Sequence, residues 1–590
     1  MRSVARLAWI PLIAALAACG GDDDNTTAGT GSESGSTSDP STTGTTDDGT
    51  TAGPVGACVD EDGAEVFEHE GEIGDETWVA GVHMVTSNLT VTGLLKVEPC
   101  SVIKIAEGRT IAVRDSGAIE WIGTAELPIL VTSAKPAKAP GDWNEIDIYA
   151  SSAGPLNRLA YVTIEYGGDS VFGQLWVEDG ASIEMRDCTV QQSGDFGMVV
   201  EGDAELRSFG GNTLIDNAAG PLRISPNHAG DLLAGTYSPN DVEGVVLQGD
   251  GVDKDQSWLA HDAPYVAPNG FRVQTDGGSA HLTVEAGAIL RVGEGSNIEV
   301  RDNGGLTLAG TEAEPITVTS AKSVGAPGDW GQIEIYEQSA DSLNDFDHVL
   351  IEHGGGSVFG EVWVEDGASL AITDSVIARS GDVGIHVGNG GALRDFTGNT
   401  LTENAAGPIL LGADAVDSLG AGAYGPNPIE GIRVRAEYVA HDAAWANHGV
   451  PYVAEDGFDI GVDVGSARLT VAAGVTIRVG SGRIIDVRQN GALRLDGTAD
   501  AHVIVTSAKP APAPGDWNEI DINDSSIGPE NVFRYADIEY GGGSVFGQLW
   551  VDSGAEVTLD NVTFTGSGGG CDVDENGAVN AMGTSYVMCM

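Results

Sequence analysis

Apolar residues alternate with polar ones in short runs along most of the chain. Examples are Val102-Ile103-Lys104-Ile105, Val162-Thr163-Ile164-Glu165 and Leu175-Trp176-Val177. Glycine, aspartate, asparagine or proline ends such runs roughly every 6 to 12 residues, so there is no room for helices. The 85 glycines suit the many tight turns that such a chain needs. The pattern therefore predicts an all-β fold of short strands.

A long repeat underlies these strands. The segment TSAKPAKAPGDW at Thr132–Trp143 returns as TSAKSVGAPGDW at Thr319–Trp330 and as TSAKPAPAPGDW at Thr506–Trp517. The two offsets, 330 − 143 and 517 − 330, are both 187 residues. A fixed long period without insertions predicts a repeat architecture in which each unit stacks on the next.

Three all-β architectures can use strands this short. A propeller requires a self-similar blade about every 40 to 50 residues, which is not found inside the unit. A sandwich predicts variable linkers between copies, which the constant offset argues against. We therefore expect a right-handed parallel β-helix, a solenoid of three 187-residue repeats. Its expected parts are residues 58–241 (first repeat with an N-terminal cap), 242–428 (second repeat), 429–567 (truncated third repeat) and 568–590 (C-terminal cap).

Several stretches resemble bacterial surface repeat proteins of the right-handed parallel β-helix kind, which are related in fold to pectate lyases. They are LTVEAGAILRVGEG from Leu282, LTLAGTEAEPITVTSAK from Leu306, APGDWGQI from Ala326, VLIEHGGG from Val349 and APYVAPNGFRV from Ala263. The resemblance covers all three repeats. It implies an exported or outer-surface β-helix and, for this non-lyase branch, no defined reaction.

The N-terminus predicts export. Residues 1–19, MRSVARLAWIPLIAALAAC, combine two arginines with a short apolar run, as a secretory signal does. Leu16-Ala17-Ala18-Cys19 resembles the bacterial lipobox, which implies that Cys19 is lipidated after cleavage; the alternative is an ordinary signal peptide. Residues 20–57 are mostly Gly, Ser, Thr and Asp and predict a disordered tether. We therefore expect a lipid-anchored outer-membrane protein at the cell surface or facing the periplasm.

The charge of the chain limits the classes of partner that we expect. The net charge is −60, whereas nucleic-acid binding requires a concentrated basic face. Nucleic acid is therefore not expected as a partner, and anionic polymers are disfavoured. An acidic surface suits divalent cations, or it is simply a solvated face. The expected partners are the membrane, through the lipid, and an extracellular glycan or a cell-surface protein, with the chain itself a monomer.

The remaining five cysteines suggest two disulfides. Cys58 and Cys100 lie near the start of the repeats, and Cys571 and Cys589 lie beyond the last repeated residue. Each pair is at an end of the array, where a solenoid needs a cap, and disulfides persist in exported proteins. Cys188 falls on a repeated small polar position, which predicts a free thiol.

Catalytic patterns are lacking. The motifs of pectate lyases and polygalacturonases, a G-x-S-x-G elbow and an H-E-x-x-H helix do not occur. The segment containing Asp572, Asp574 and Asn576 has the D-x-D-x-N-G spacing of a calcium loop, although its twelfth position is Gly583 rather than Glu. Calcium is the only cofactor that the sequence suggests, and a polar turn is the alternative.

Three equivalent tryptophans are the candidate ligand-binding residues. If Leu175 and Val177 point into the core, Trp176 points outward, and Trp363 and Trp550 follow by register. An outward indole beside acids suits sugar stacking or a protein partner, unless neighbouring loops cover it. The sequence thus favours a non-enzymatic scaffold, adhesin or glycan-binding protein. The alternative is a polysaccharide lyase or glycoside hydrolase.

Overall fold

The computed structural model describes residues 58, 65–249 and 251–590, and these form an all-β parallel solenoid of about 20 turns. The predicted fold class is confirmed. The predicted signal segment 1–19, with Cys19, and the tether 20–57 lie outside the described residues. Among the described residues, no helix has the length and apolar character needed to cross a membrane.

The elements of the first repeat and its cap are β1 (Val66–Ile73), β2 (Glu76–Trp78), β3 (Val82–Val91), β4 (Leu94–Val97), β5 (Val102–Ile105), β6 (Ile111–Val113), β7 (Ala118–Ile122), β8 (Ile129–Ser133), β9 (Ile146–Ile148), β10 (Arg158–Ala160), β11 (Val162–Glu165), β12 (Leu175–Val177), β13 (Ser182–Arg186), β14 (Thr189–Gln191), β15 (Phe196–Val200), β16 (Glu205–Gly210), β17 (Thr213–Ile215) and β18 (Gly220–Ile224).

The second repeat contains β19 (Val245–Leu247), β20 (Gly251–Val252), β21 (Gln256–Trp258), β22 (Tyr265–Ala267), β23 (Phe271–Val273), β24 (Ala280–Glu285), β25 (Ile289–Val292), β26 (Ile298–Val300), β27 (Gly304–Ala309), β28 (Ile316–Ser320), β29 (Ile333–Ile335), β30 (Asp345–Asp347), β31 (Val349–Glu352), β32 (Val362–Val364), β33 (Ser369–Thr373), β34 (Val376–Ala378), β35 (Ile385–Val387), β36 (Ala392–Thr397), β37 (Thr400–Thr402) and β38 (Ile409–Gly412).

The third repeat and the C-terminal segment contain β39 (Ile432–Arg435), β40 (Tyr438–Val439), β41 (Ala443–Trp445), β42 (Tyr452–Ala454), β43 (Phe458–Ile460), β44 (Ala467–Ala472), β45 (Thr476–Val479), β46 (Ile485–Val487), β47 (Gly491–Asp496), β48 (Val503–Ser507), β49 (Ile520–Ile522), β50 (Val532–Arg534), β51 (Ala536–Glu539), β52 (Leu549–Val551), β53 (Glu556–Asp560), β54 (Thr563–Thr565), β55 (Val573–Glu575) and β56 (Ala578–Met582). Short 3₁₀ helices lie at Gly154–Leu156, Pro226–Asp231, Asp341–Leu343, Ala413–Ser418 and Gly528–Glu530.

Strands of successive turns stack into three sheets, which we call sides A, B and C. In the first repeat, side A contains β5, β8, β11, β14 and β17, side B contains β6, β9, β12, β15 and β18, and side C contains β4, β7, β10, β13 and β16. In the second repeat, the corresponding sheets are β22–β25–β28–β31–β34–β37, β20–β23–β26–β29–β32–β35–β38 and β21–β24–β27–β30–β33–β36. In the third, they are β42–β45–β48–β51–β54, β40–β43–β46–β49–β52–β55 and β41–β44–β47–β50–β53–β56.

The sheets shift by one side at each junction between repeats. Strand β19 pairs with β18 of side B in the first repeat and with β22 of side A in the second. Strand β39 joins β38 to β42 in the same way. Side B of one repeat therefore continues as side A of the next. Strand pairing crosses each junction in this one sheet, whereas the other two sheets end there and new ones begin, so equivalent residues of successive repeats lie in different sheets.

The core consists of inward-pointing residues stacked in register. Ile111, Ile146, Leu175, Met198 and Leu222 pair in sequence from turn to turn, and none of them is exposed to solvent. Burying each such side chain contributes about 1.5 to 3 kcal/mol. This stacking explains why apolar and polar residues alternate, because the residues between the stacked apolar ones face outward.

Buried asparagines at the bends of the coil provide hydrogen-bond partners for backbone N–H groups. Asn157, Asn344 and Asn531 are equivalent, and none is exposed. Their side-chain oxygens accept hydrogen bonds from the backbone N–H groups of Ile119, Leu306 and Leu493, respectively, at 3.0 to 3.2 Å. Backbone groups at a buried bend need such partners because strand pairing is interrupted there.

Both predicted disulfides are present at the ends of the array. Cys58 bonds to Cys100 with Cα atoms 4.9 Å apart, and Cys571 bonds to Cys589 with Cα atoms 5.1 Å apart. Cys188 is a free thiol within the described residues, and burial raises its pKa to about 12.

Candidate functional site

A stacked phenylalanine–tryptophan pair recurs in every repeat. The flanking Leu175 and Val177 are fully buried, whereas Trp176 between them is partly exposed on side B. The ring centroids of Phe172 and Trp176 are 3.9 Å apart at an interplanar angle of 9°. The equivalent pairs are Phe359–Trp363 (4.0 Å and 8°) and Phe546–Trp550 (4.0 Å and 6°). Phenylalanine therefore covers one face of each indole, and the exposed feature is the stacked pair rather than a bare indole.

The loop before each tryptophan holds the phenylalanine in place. In the second repeat, the Ser357 hydroxyl accepts a hydrogen bond of 3.2 Å from the Phe359 N–H group, which fixes the turn. Phe359 is 36% exposed, and Val358 at the tip of the loop is 77% exposed. The equivalent serines accept the same bond at 3.3 and 3.1 Å. Each repeat thus presents a small apolar surface that is already ordered.

A buried carboxylate lies one turn below each tryptophan. Trp176 pairs with Asp147, Trp363 with Glu334 and Trp550 with Asp521. These three acids are only 2%, 5% and 8% exposed. Burial, reinforced by the nearby Glu178, raises the pKa of Asp147 to about 7. Burial and the nearby Asp486 raise the pKa of Asp521 to about 7, and burial also raises the pKa of Glu334.

The aromatic pair and the acid border an open groove in the second repeat. This groove, which we call the aromatic groove, has a volume of about 530 Å³. Its lining includes Gln332, Glu334, Phe359 and Trp363. Glycine at position 331 replaces Asn144 and Asn518 of the other repeats, so no side chain projects from this position in the second repeat.

The three aromatic pairs do not share one side of the solenoid. Trp176 lies in the sheet that continues as side A of the second repeat, whereas Trp363 and Trp550 lie in two other sheets. This arrangement follows from the shift at the junctions. It was not predicted, because the sequence offset preserves register but contains no information on which sheet continues.

The repeated TSAK segment has a structural role. The Asp142 carboxylate accepts a 2.9 Å hydrogen bond from the Ala139 N–H group, and Lys135 Nζ lies 3.0 Å from its other oxygen. Trp143 is fully buried, and its Nε1–H donates to the Glu165 carbonyl at 3.0 Å. The same contacts recur around Asp329 and Asp516. These acids hold the loop over the coil in every repeat.

The C-terminal candidate calcium residues lie in and on either side of a strand: Asp574 is in β55, whereas Asp572 precedes β55 and Asn576 follows it. Asp574 lies in β55 and pairs with Trp550, and Asn576 Nδ2 donates to Asp574 Oδ1 at 2.7 Å. The two oxygens of Asp572 accept hydrogen bonds from the Ser567 hydroxyl and the Val587 N–H group. A calcium loop wraps its oxygens around the ion, which a strand does not do. Calcium binding there stays a prediction without geometric support.

One group of potential metal ligands was not predicted. Asp347, His348 and Asp374 each offer a ligand atom, and all three atoms lie within 4.8 Å of one another. Across residues 65–249 and 251–590, no other group of three or more His, Cys, Asp or Glu residues meets this distance criterion. The sequence signal is weak because His348 and Asp374 are 26 positions apart.

Comparisons of the chain with protein-family models, with curated proteins and with solved structures found no match.

Proposed function

We propose that this chain is a lipid-anchored bacterial outer-membrane protein, attached through Cys19, whose solenoid binds extracellular glycan through the three stacked phenylalanine–tryptophan pairs. The observation that carries the proposal is the stacked phenylalanine–tryptophan pair beside a buried carboxylate, which recurs in all three repeats. The resemblance to non-lyase surface β-helices supports the same placement. The chain acts as a monomer in this proposal.

Glycan suits the aromatic pairs and the neighbouring acids chemically. Sugar rings present C–H faces that pack on aromatic surfaces, and carboxylates accept hydrogen bonds from hydroxyl groups. In the first repeat, Trp176 Nε1 and Asp147 Oδ1 are buried on paired residues and lack a hydrogen-bond partner among the described residues, as do Trp550 Nε1 and Asp521 Oδ1 in the third. The acidic surroundings favour a neutral or amine-bearing glycan over a polyuronate.

Binding is tested with the full chain on a glycan array, followed by calorimetry with the best oligosaccharide. Each tryptophan is replaced by an outward residue found next to one of them in a sheet: Trp176→Val and Trp550→Val, after Val199, and Trp363→His, after His386. These side chains already occupy that position of the sheet, so folding is retained. We expect three sites, with one lost per substitution. An unchanged number of sites in all three variants would refute the proposal.

The orientation of the sites determines how they act together. Because the three pairs lie in three sheets, we propose that they bind separate glycan chains around the rod rather than one flat surface. A soluble multivalent glycan should therefore be cross-linked, which light scattering detects at intermediate ratios. Avidity for a planar glycan surface without cross-linking in solution would contradict this arrangement.

The second candidate function is hydrolysis or lyase cleavage of the polysaccharide. The observation that favours it is the pKa of about 7 at Asp147 and Asp521, raised by burial, because a carboxyl group that retains its proton near neutral pH can act as a general acid. Incubation with the bound oligosaccharide tests it. New reducing ends or unsaturated products that disappear in Asp147→Asn and Asp521→Asn would favour the enzyme over the binding protein.

A further inference from the structure

We propose that Asp347, His348 and Asp374 bind one divalent transition-metal ion, such as Zn²⁺, in the second repeat. Asp347 ends β30 and His348 follows it at the bend between sides C and A. Asp374 follows β33, one turn further along the solenoid. The coil thus brings together two adjacent residues and a third that is 26 positions away.

The geometry is close to that of a bound ion. All three ligand atoms lie within 4.8 Å of one another, and His348 Nδ1 lies 2.8 Å from Asp347 Oδ1. Ligand atoms at about 2.0 to 2.2 Å from zinc lie roughly 3.4 Å apart, so small side-chain rotations suffice. The nitrogen and oxygen are within hydrogen-bonding distance, and the ion takes the place of the proton between them when it binds. The Thr373 hydroxyl donates to Asp347 Oδ1 at 2.9 Å and orients the carboxylate.

The imidazole separates this group from the many acidic patches of the chain. Carboxylates alone suit calcium or magnesium, whereas an imidazole with carboxylates suits zinc and its neighbours. Three protein ligands leave coordination positions open for water or for a group on a partner. Asp374 is exposed and the other two residues are half-buried, so an ion can reach the site from solvent.

The other repeats provide natural controls. The equivalent positions hold Ala160, Tyr161 and Asp187 in the first repeat and Arg534, Tyr535 and Asn561 in the third. The backbone has a positive φ at His348 (50°), Tyr161 (52°) and Tyr535 (42°), so tyrosine fits where the histidine lies. In the first repeat, Tyr161 is hydrogen-bonded to Asp187. A hydroxyl donor is thus replaced by a metal ligand in the second repeat alone.

The experiment counts Zn²⁺ bound per full-length chain by equilibrium dialysis and measures affinity by calorimetry. His348→Tyr, Asp374→Asn and Asp347→Ala each copy a residue from another repeat. We expect His348→Tyr to bind one equivalent fewer than the unmodified chain, and the other two to bind at least 10-fold more weakly at this site. Zinc can also bind elsewhere, for example between His69 and His83, whose ring nitrogens lie 2.9 Å apart. Such zinc is common to all variants and cancels when they are compared with the unmodified chain.

A gain-of-site variant makes the test reciprocal. Ala160→Asp with Tyr161→His recreates the group in the first repeat, where Asp187 is already present. We expect it to bind one additional equivalent of Zn²⁺, and Co²⁺ to show matching d–d absorption bands. The proposal is overturned if His348→Tyr binds the same number of zinc ions with the same affinity, or if the double variant gains none. Circular dichroism confirms that each variant keeps its β structure.

Discussion

Replacing Glu361 with glutamine should remove a loss of stability that the second repeat undergoes as the pH rises. Glu361 is completely buried; its Oε1 accepts a 2.7 Å hydrogen bond from the Gly354 N–H group, and its Oε2 has no hydrogen-bond partner in the part of the chain that the structure describes. The other repeats have glutamine here. In the first, the amide of Gln174 donates to the carbonyls of Ile164 (3.3 Å) and Gln191 (2.9 Å). A glutamate can replace that donor only when it is protonated.

The magnitude follows from the shift in pKa. Burial raises the pKa of Glu361 from its ordinary value of 4.5 to about 8. Below pH 4.5, the carboxyl group is protonated in both the folded and unfolded chain and adds no pH dependence. Between pH 4.5 and 8, only the unfolded chain ionises, so the free energy of unfolding falls by about 1.4 kcal/mol per pH unit. The loss reaches about 3 kcal/mol at pH 7 and about 5 kcal/mol at pH 8, and then levels off.

Hydrogen exchange read by mass spectrometry provides the assay, because a long solenoid need not unfold in one step. Peptides around Gly354 should exchange more slowly in Glu361→Gln than in the unmodified chain, and this difference should grow from pH 5 to pH 8. Comparison at each pH cancels the intrinsic exchange rate. The matched control is Gln548→Glu, which should introduce the same pH dependence in the third repeat. Equal exchange in Glu361→Gln and the unmodified chain at every pH would refute the reasoning.

Three further predictions concern stability and reactivity. Cys188 should not react with a thiol-specific disulfide reagent at pH 8 until denaturant is added, because burial raises its pKa to about 12; immediate reaction of the folded chain would contradict its burial. Substitution of Cys571 and Cys589 with serine opens a loop with a sequence separation of 18 residues and should destabilise the C-terminal cap by about 3 kcal/mol; exchange should accelerate in β55 and β56 but not in β33. Asn344→Ala leaves the Leu306 N–H group unpaired and should lower the local free energy of opening, measured by hydrogen exchange, by about 1 to 3 kcal/mol. The same substitution at the exposed Asn389 should change this free energy little.

The amino-acid pattern was sufficient to predict the fold and the ends of the array. Inward and outward positions alternate with period two, and the 187-residue offset keeps that alternation in register in every copy. Both disulfides followed from cysteines at the two ends of the repeats, and the outward direction of Trp176 followed from its buried neighbours. These features depend on neighbouring residues or on the constant offset between repeats, and both can be read from the sequence.

The tertiary structure alone decided how those positions combine. Turns differ in length, so the distance along the chain does not show that Asp374 meets His348, that Phe359 covers Trp363, or that the unpaired oxygen of Glu361 is sealed in the core. The shift of sheets at β19 and β39 likewise depends on which strand finds hydrogen-bonding partners across a junction. Period and register can be read from spacing along the sequence. Which residues meet in a site, and which sheet they lie in, depends on how the chain folds each turn of the solenoid in three dimensions.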